Sequence, residues 1–348
     1  MNNNTNAAAA ALQTLPADAQ LMQLLSGAFI APAVYTAAKL GIADLLVDGP
    51  KTAAELAANT ETDERSLYRL LRSLASVGAF EEVEPKKFAN SPVTETMRSD
   101  APRSTRDMAL WICDPNHWKV YGDLLYSVRT GKPAWDNVHG EPVFQYLFNT
   151  NKELGEIFNR AMTSYSHQSI GPVLASYDFS GADTIADIAG GYGHLLAAVL
   201  AANPDTNGVL FDLPVVLAGA PQMLDSYGVT DRVELIEGDF FSEIPVVADI
   251  YLLKHIIHDW YDDKNQKILG NIRANMPDDA KVLIIEAVVP EGNEPHFSKI
   301  IDLEMLIAPG GVERTPSEFD ELLRNSGFKL NRIIPTPGMM SIVEAVKA

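Results

Sequence analysis

The rhythm of hydrophobic and polar positions changes near residue 183. Beyond it, TIADIA, GVLFD, VELIEGD, ADIYLLKH and KVLIIEAVV are short apolar runs, and HLLAAVLAAN has helical character. Near-continuous apolar runs are typical of strands covered on both faces. Pro214 stands where the first turn of a helix accepts it, and Asp262 or Asp263 starts a helix through KNQKILGNIRANM. FKLNRIIPT and GMMSIVEAVKA read as a closing antiparallel pair joined near Pro337-Gly338. Strand and helix in alternation predict an α/β domain over 181–348, a doubly wound Rossmann-like parallel sheet. Such sheets take ligands at the carboxyl ends of their strands.

The pattern before residue 105 is different. Thr52 and Glu55 have capping-box spacing. Leu67, Leu70, Leu71, Leu74 and Val77 form one apolar helical stripe, stopped by Gly78. AFEEVEPKKFAN follows as a two-strand wing turning at Glu84-Pro85-Lys86. Residues 1–105 therefore predict a mainly α-helical winged-helix domain. The apolar stretch Leu21 to Leu46 is interrupted by Pro32, Lys39 and Asp44, which predicts two buried helices rather than a membrane span. The apolar helices of residues 10–45 lack an obvious partner in their own chain, which points to a homodimer. Residues 106–180 read as a helical, aromatic-rich linker suited to lining a pocket for a flat ring, with RTGKPAWDNVHG as a loop.

Composition narrows the functions. The 348 residues carry 46 acidic and 27 basic side chains, a formal charge of −19, which disfavours nucleic acid. The second winged-helix helix offers Arg65, Arg69 and Arg72, but Glu61, Asp63 and Glu64 accompany them. The winged helix is therefore expected to be structural. Cys113 is the only cysteine, so no intrachain disulfide forms, which fits a reducing cytoplasm. It is expected to be a small buried hydrophobe. MNNNTNAAAAALQ lacks the features of a signal peptide and is expected to fray. His117, His139, His167, His194 and His296 show no metal-ligand spacing, so no metal is expected.

The strand ends carry the chemistry. The first ends in Asp187 and the loop DIAGGYGHLL, where Gly190, Gly191 and Gly193 permit close backbone approach. Leu196 stands where a dinucleotide fingerprint has its third glycine. The second strand ends in Asp212, suited to two vicinal ribose hydroxyls, and the third in Asp239 followed by Phe240, suited to an adenine. The fourth ends near Lys254, His255 and His258, and the fifth carries Glu286. Three consecutive strand ends with acids or glycines indicate a nucleoside ligand without pyrophosphate.

ADIAGGYGHLL, GVLFDLP, EGDFF and LLKHIIHDW, with FNRAM and PGGVERT, resemble the S-adenosylmethionine (SAM)-dependent small-molecule O-methyltransferases that include caffeate, flavonoid and polyketide enzymes. The likeness covers nearly the whole chain. It implies that Asp187, Ala189 and Gly190 floor the methionine part of SAM, Asp212 takes the ribose, and Asp239 and Phe240 hold adenine. Lys254 would lie beside the cofactor and Ser166 at its amino-acid end. His258 matches the family's general base, with Glu286 and Glu313 as flanking acids. Phe158, Met162, Asp259 and Met305 would meet an aromatic acceptor, and S-adenosylhomocysteine (SAH) would be the product. Ala189 departs from the family's glycine and fits easily only if its φ is negative. Three alternatives stay open: a nitrogen acceptor such as a phenazine, an NAD-dependent oxidoreductase, and a winged-helix DNA-binding regulator.

Overall fold

The computed structural model describes residues 15–102 and 104–348, except for the side chain of His167. The N-terminal stretch expected to fray and the start of the segment 10–45 lie outside the described residues, as does any test of His167. The chain divides into two compact units. The first comprises residues up to Asp123 together with Phe144–Tyr165, and the second comprises Leu124–Val143 and Ser166–Ala348.

In the first unit, α1 (Ala17–Lys39) is followed by a short helix (Ile42–Leu45), β1 (Lys51–Thr52), α2 (Ala53–Thr60), α3 (Glu64–Ser76) and the hairpin β2 (Phe80–Glu84) and β3 (Lys87–Asn90). β3 pairs antiparallel with both β1 and β2, giving the three-stranded wing. Thr52 and Glu55 form the expected capping box, and the Asp63 side chain caps α3 through the Ser66 N–H. Such caps contribute about 1 kcal/mol each. Leu67, Leu71 and Leu74 pack with Phe80 and Phe88. Two expectations need correction. Val77 lies past the last turn of α3 and is exposed, because the helix ends before the stripe does. The apolar stretch Leu21–Leu46 is not two buried helices. α1 runs 23 residues through Pro32 and, among the described residues, buries only Ala37 and Ala38, with Leu24 and Phe29 70% and 75% exposed. By length and composition alone α1 could cross a membrane.

The helix α4 (Lys152–Ser176) carries residues of both units. The segment expected as a loop contains a helix, Ala134–His139, entered through Pro133 and closed by left-handed Gly140. The punctuation marked helix ends rather than a loop, and Trp135 is fully buried there.

The second unit holds a seven-stranded sheet in the order β6-β5-β4-β7-β8-β10-β9. β4 (Thr184–Ile188), β5 (Asn207–Asp212), β6 (Val233–Glu237), β7 (Ile250–Lys254) and β8 (Lys281–Glu286) run parallel. β9 (Phe328–Pro335) and β10 (Ser341–Lys347) form the closing antiparallel pair, with β10 against β8. α5 (His194–Ala202) packs closely on β5: a Cβ at Gly208 would stand 2.7 Å from Leu200. The remaining helices used below are α6 (Asp262–Asn275), α7 (Ser298–Ile307) and α8 (Pro316–Asn325). Ala186, Phe211, Tyr251, Leu253, Val282 and Ile284 of the sheet share one core with Ile268, Leu269 and Ile272 of α6 and Phe319, Leu322 and Leu323 of α8. Each such large side chain stabilises the fold by about 1.5–3 kcal/mol when buried. The parallel register places Asp187, Asp212, Lys254 and Glu286 at one edge of the sheet.

Candidate active site

The glycine loop is built around Asp187, which is 2% exposed near the end of β4. A Cβ at Gly190 would lie 2.4 Å from Cγ of Asp187 and 2.7 Å from Leu210, so only glycine fits. Ala189 has φ +55, the left-handed region, and its N–H donates to the Phe211 carbonyl at 2.7 Å. A non-glycine residue there costs about 1–2 kcal/mol. The easy fit expected for a negative φ is therefore not what the structure has. Left-handed Gly193 opens α5.

Asp212, at the end of β5, accepts from the Gly191 N–H at 2.8 Å and the Leu213 N–H at 2.7 Å. The carboxylate ties the glycine loop to the second strand and keeps lone pairs for further donors. Burial raises its pKa, and the two backbone bonds oppose the rise. Asp239 lies two residues beyond β6, is exposed, and accepts from the Phe241 N–H at 2.8 Å. Phe240 meets Phe241 edge-on at 4.6 Å and Trp260 at 6.3 Å.

Lys254 ends β7, and its Nζ hydrogen-bonds to Oγ of Ser166 on α4. Burial lowers the lysine to about 8, against the charge of Asp187. Burial raises Asp187 to about 7, with the Lys254 charge opposing and Asp212 adding. Burial thus moves the two pKa values toward each other, and the charge of each group opposes the shift of the other.

His258 lies on a single helical turn, Ile257–Asp259, after β7. Its Nδ1 is 2.8 Å from Oε1 of Glu313, and its Nε2 is 3.7 Å from Oδ1 of Asp259. Burial lowers its pKa, but the Glu313 hydrogen bond and the charges of Asp259, Glu286 and Glu313 outweigh burial and raise it to about 10. Burial likewise lifts the carboxyls of Asp259 and Glu286 to about 6, with the His258 charge opposing. His255 has φ +58 and a ring 5.2 Å from that of His258. Burial, with the charges of Lys254 and His258, pushes its pKa well below the usual value.

Glu286 does not touch the His258 ring through a hydrogen bond. Its Oε1 accepts from the backbone N–H groups of Ile256 and His258, at 3.1 and 3.0 Å. Other groups clamp the same turn. Asn265 Nδ2 donates to the carbonyls of Ile257 and Trp260, both at 2.8 Å. Arg314, 2% exposed, donates to the same two carbonyls and to Asp262. The Val312 N–H donates to the His258 carbonyl at 2.9 Å, and Met305 accepts from the N–H groups of Gly310 and Gly311. Asp302 holds the Glu313 N–H at 2.8 Å. Sequence reasoning singled out none of Asn265, Asp302, Gly311 and Arg314. The run PGGVERT was the available signal for two of them, whereas a lone Asn or Asp on a helix gives none.

The structure thus gathers Asp187, Gly190, Asp212, Lys254 and Ser166 in one cluster and His258, Asp259, Glu286 and Glu313 in another. Phe158 and Met162 lie one helical turn apart on α4 and belong to the first unit, where Phe158 meets Trp111 edge-on at 5.0 Å. Cys113 is half-buried, and burial pushes its thiol up to about 11, which makes it a poor nucleophile.

Residues 121–329 match the family model of the O-methyltransferase domain. The chain belongs to this O-methyltransferase family. Residues 22–100 match the O-methyltransferase dimerisation domain, which takes in the exposed Leu24, Leu25 and Phe29 of α1. The methyltransferase is 41% identical to a phenazine O-methyltransferase of Lysobacter antibioticus over 99% of both chains. It is 40% identical to the mitomycin biosynthesis 6-O-methyltransferase of Streptomyces lavendulae, covering 100% of this chain and 98% of that one. A phenazine-1-carboxylate N-methyltransferase of Pseudomonas aeruginosa is 32% identical over 99% of this chain and 100% of its own. Among solved structures, a methyltransferase in calicheamicin biosynthesis, in its SAH-bound form, superposes with a TM-score of 0.84 at 37% identity, covering 94% of this chain and 97% of that one.

Proposed function

We propose that this methyltransferase transfers a methyl group from SAM to a phenolic hydroxyl of an aromatic small molecule, with His258 as general base. The observation that carries the reading is the His258–Glu313 pair, 2.8 Å apart among buried carboxyls. The glycine loop fits the donor: a backbone that a single Cβ would fill, between Asp187 and Asp212, admits a nucleoside and an amino-acid moiety at close range. Asp187, Ala189, Gly190, Asp212, Asp239, Phe240, Lys254 and Ser166 would hold SAM. When bound, SAM supplies an electrophilic methyl on a sulfonium.

The chain's own residues do the rest. A phenol near pKa 10 is a weak nucleophile at pH 7. His258, raised to about 10, matches it, so the proton moves between them with little cost. Glu313 keeps Nδ1 as donor, which leaves Nε2 to take the acceptor's proton and stabilises the resulting imidazolium. The productive state holds one proton between His258 and the acceptor, so a proton must leave first at neutral pH. Asp259, 3.7 Å from Nε2, would hold a polar group of the acceptor, and Met305 would meet its ring.

The N-methyltransferase of Pseudomonas aeruginosa favours a second reading, a nitrogen acceptor. A methyl-transfer screen over flavonoids, hydroxycinnamates, polyketide phenols and phenazines, with product regiochemistry, separates the two. Calorimetry should show SAH binding and none of NAD; binding of NAD instead would overturn the donor assignment. A gel shift at moderate salt that fails to retard DNA would set aside the regulator. We further propose that the enzyme works as a cytoplasmic homodimer and requires no metal.

A further inference from the structure

Two side chains hold the same two carbonyls of the turn that carries His258. Asn265 Nδ2 donates to the carbonyls of Ile257 and Trp260, both at 2.8 Å. The Arg314 guanidinium donates to the same pair, Nη1 to Ile257 at 3.2 Å and Nη2 to Trp260 at 3.1 Å. One donor is enough to satisfy a buried carbonyl, so the second clamp is explained by where it comes from. Asn265 stands on α6 and ties the turn to that helix. Arg314 follows Glu313 in the chain, and Oε1 of Glu313 meets Nδ1 of His258 at 2.8 Å. Arg314 therefore ties the turn to the segment that carries the histidine's partner.

That segment is pinned on its other side as well. The Val289 N–H donates to the Arg314 carbonyl at 2.9 Å, and Val288 forms a parallel bridge with Arg314, which fixes residue 314 to the chain just beyond β8. The guanidinium has little freedom, being 2% exposed. Its outer edge is held by Oδ1 of Asp262, at 3.2 Å from Nε and 2.6 Å from Nη2. A planar fork can serve two carbonyls and a carboxylate together, whereas an ammonium is a point donor that cannot keep that arrangement.

We propose that Arg314 is a positioning residue: its fork, set between the carbonyls of Ile257 and Trp260 and the carboxylate of Asp262, fixes Glu313 against the His258 ring. It acts on methyl transfer only through that pair. The catalytic meaning rests on the proposed role of His258; the geometric role stands apart from it. The charge of Arg314 works in the opposite direction. The His258 ring faces Asp259 on its own turn, Glu286 from β8, Glu313, and the ring of His255. Arg314 lowers the pKa of Glu286 and of Asp302, as a nearby cation does. As a bare cation it disfavours a proton on His258, whereas by holding Glu313 in place it favours one. Removing the charge alone raises the pKa of His258, and loosening Glu313 lowers it.

The first arm of the test needs no acceptor. In nuclear magnetic resonance spectra of the full-length protein grown with isotope-labelled histidine, the Nδ1 proton of His258 is recognised as the signal that His258→Ala removes. In wild type it should lie far downfield and exchange slowly with water, because Glu313 holds it. Arg314→Lys keeps the charge and loses the fork. That signal should then move upfield and exchange at least ~10-fold faster, and the ring's titration midpoint should fall by about one pH unit. Arg314→Met should lower the midpoint too. A lysine variant with the wild-type signal, or a midpoint that rises in Arg314→Met, would assign Arg314 a charge role and overturn the proposal. So would a lower Tm in both variants with signal and midpoint unchanged, which is the mark of a residue that only stabilises the fold. If neither variant folds, Asp262→Asn decides. Asp262 is more than half exposed, and its loss frees the outer edge of the fork. Faster exchange of the His258 proton supports the proposal, and an unchanged rate overturns it.

The second arm uses the acceptor found by screening. In Arg314→Lys, kcat should fall at least ~10-fold while the Kd for SAH stays within ~3-fold, the split expected when a reacting group is misplaced and the donor site is intact. Unchanged kcat beside a displaced His258 signal would leave Arg314 as a positioning residue for the pair and count against His258 as the base. A failed screen would count against the proposed reaction and leave the spectra untouched.

Discussion

Gly311 lies against the carbonyl of His258 so closely that a Cβ would stand 1.8 Å from the oxygen. The PGGVERT segment and the turn bearing His258 are therefore one packed unit, with backbone touching backbone. Gly311→Ala must push the turn away. Displacements of about 1 Å at a reacting group cost up to 10²-fold. We expect kcat to fall at least ~10-fold while the Kd for SAH, measured by calorimetry, stays within ~3-fold. A fall in SAH affinity as large as the fall in kcat would show that the two clusters are not separable.

His258→Ala should lower kcat by ~10²-fold or more, the usual scale for a general base. Steady-state turnover on the acceptor found by screening is the measurement. Turnover near wild type would mean that holding the acceptor near the methyl suffices.

The pH profile has a definite sign. His258 is held protonated up to about pH 10 by Glu313, Asp259 and Glu286 against the pull of burial. For a phenol of ordinary acidity, kcat/KM should rise steadily from pH 6.5 to 9. Glu313→Gln removes the strongest holder of that proton, so the rise should move to lower pH by at least about one unit, with a lower plateau from a weaker base. An unshifted rise would place the titrating group elsewhere.

The glycine loop gives a pair of opposite expectations. Gly190→Ala places a methyl 2.4 Å from Cγ of Asp187, and SAH binding should fall at least ~10² -fold by calorimetry. Ala189→Gly relieves a left-handed alanine at φ +55. The relief of about 1–2 kcal/mol is partly offset by the entropy glycine loses on folding. A small rise in Tm is expected; a clear fall would show that the Ala189 methyl contributes packing that outweighs its strain.

The parallel sheet was legible because its strands are short apolar runs that end in polar residues, and Asp187, Asp212 and Lys254 stand at those ends. The capping box of Thr52 and Glu55 was legible for the same local reason. The partner of Glu286 was not. Strand position puts its carboxyl at the right edge, but its bonds to the N–H groups of Ile256 and His258 depend on the path of a turn in another segment. Asn265 was illegible because it acts on carbonyls, which no side-chain motif records. The left-handed φ of Ala189 was illegible because alanine carries no signal for it. The Leu21–Leu46 stretch was read as buried because apolar composition reports a surface that avoids water, whereas the single chain leaves Leu24 and Phe29 exposed.

Helix α1 spreads its apolar residues around its circumference, and among the described residues its own chain fully buries only Ala37 and Ala38. In a dimer that covers α1, the lone subunit would be the vulnerable species, and dilution would become a denaturing stress alongside heat. If a second copy supplies the cover, the melting temperature should drop as the protein is diluted, because folding and assembly then share one equilibrium. The working lifetime of the enzyme would be set by its abundance as much as by its core.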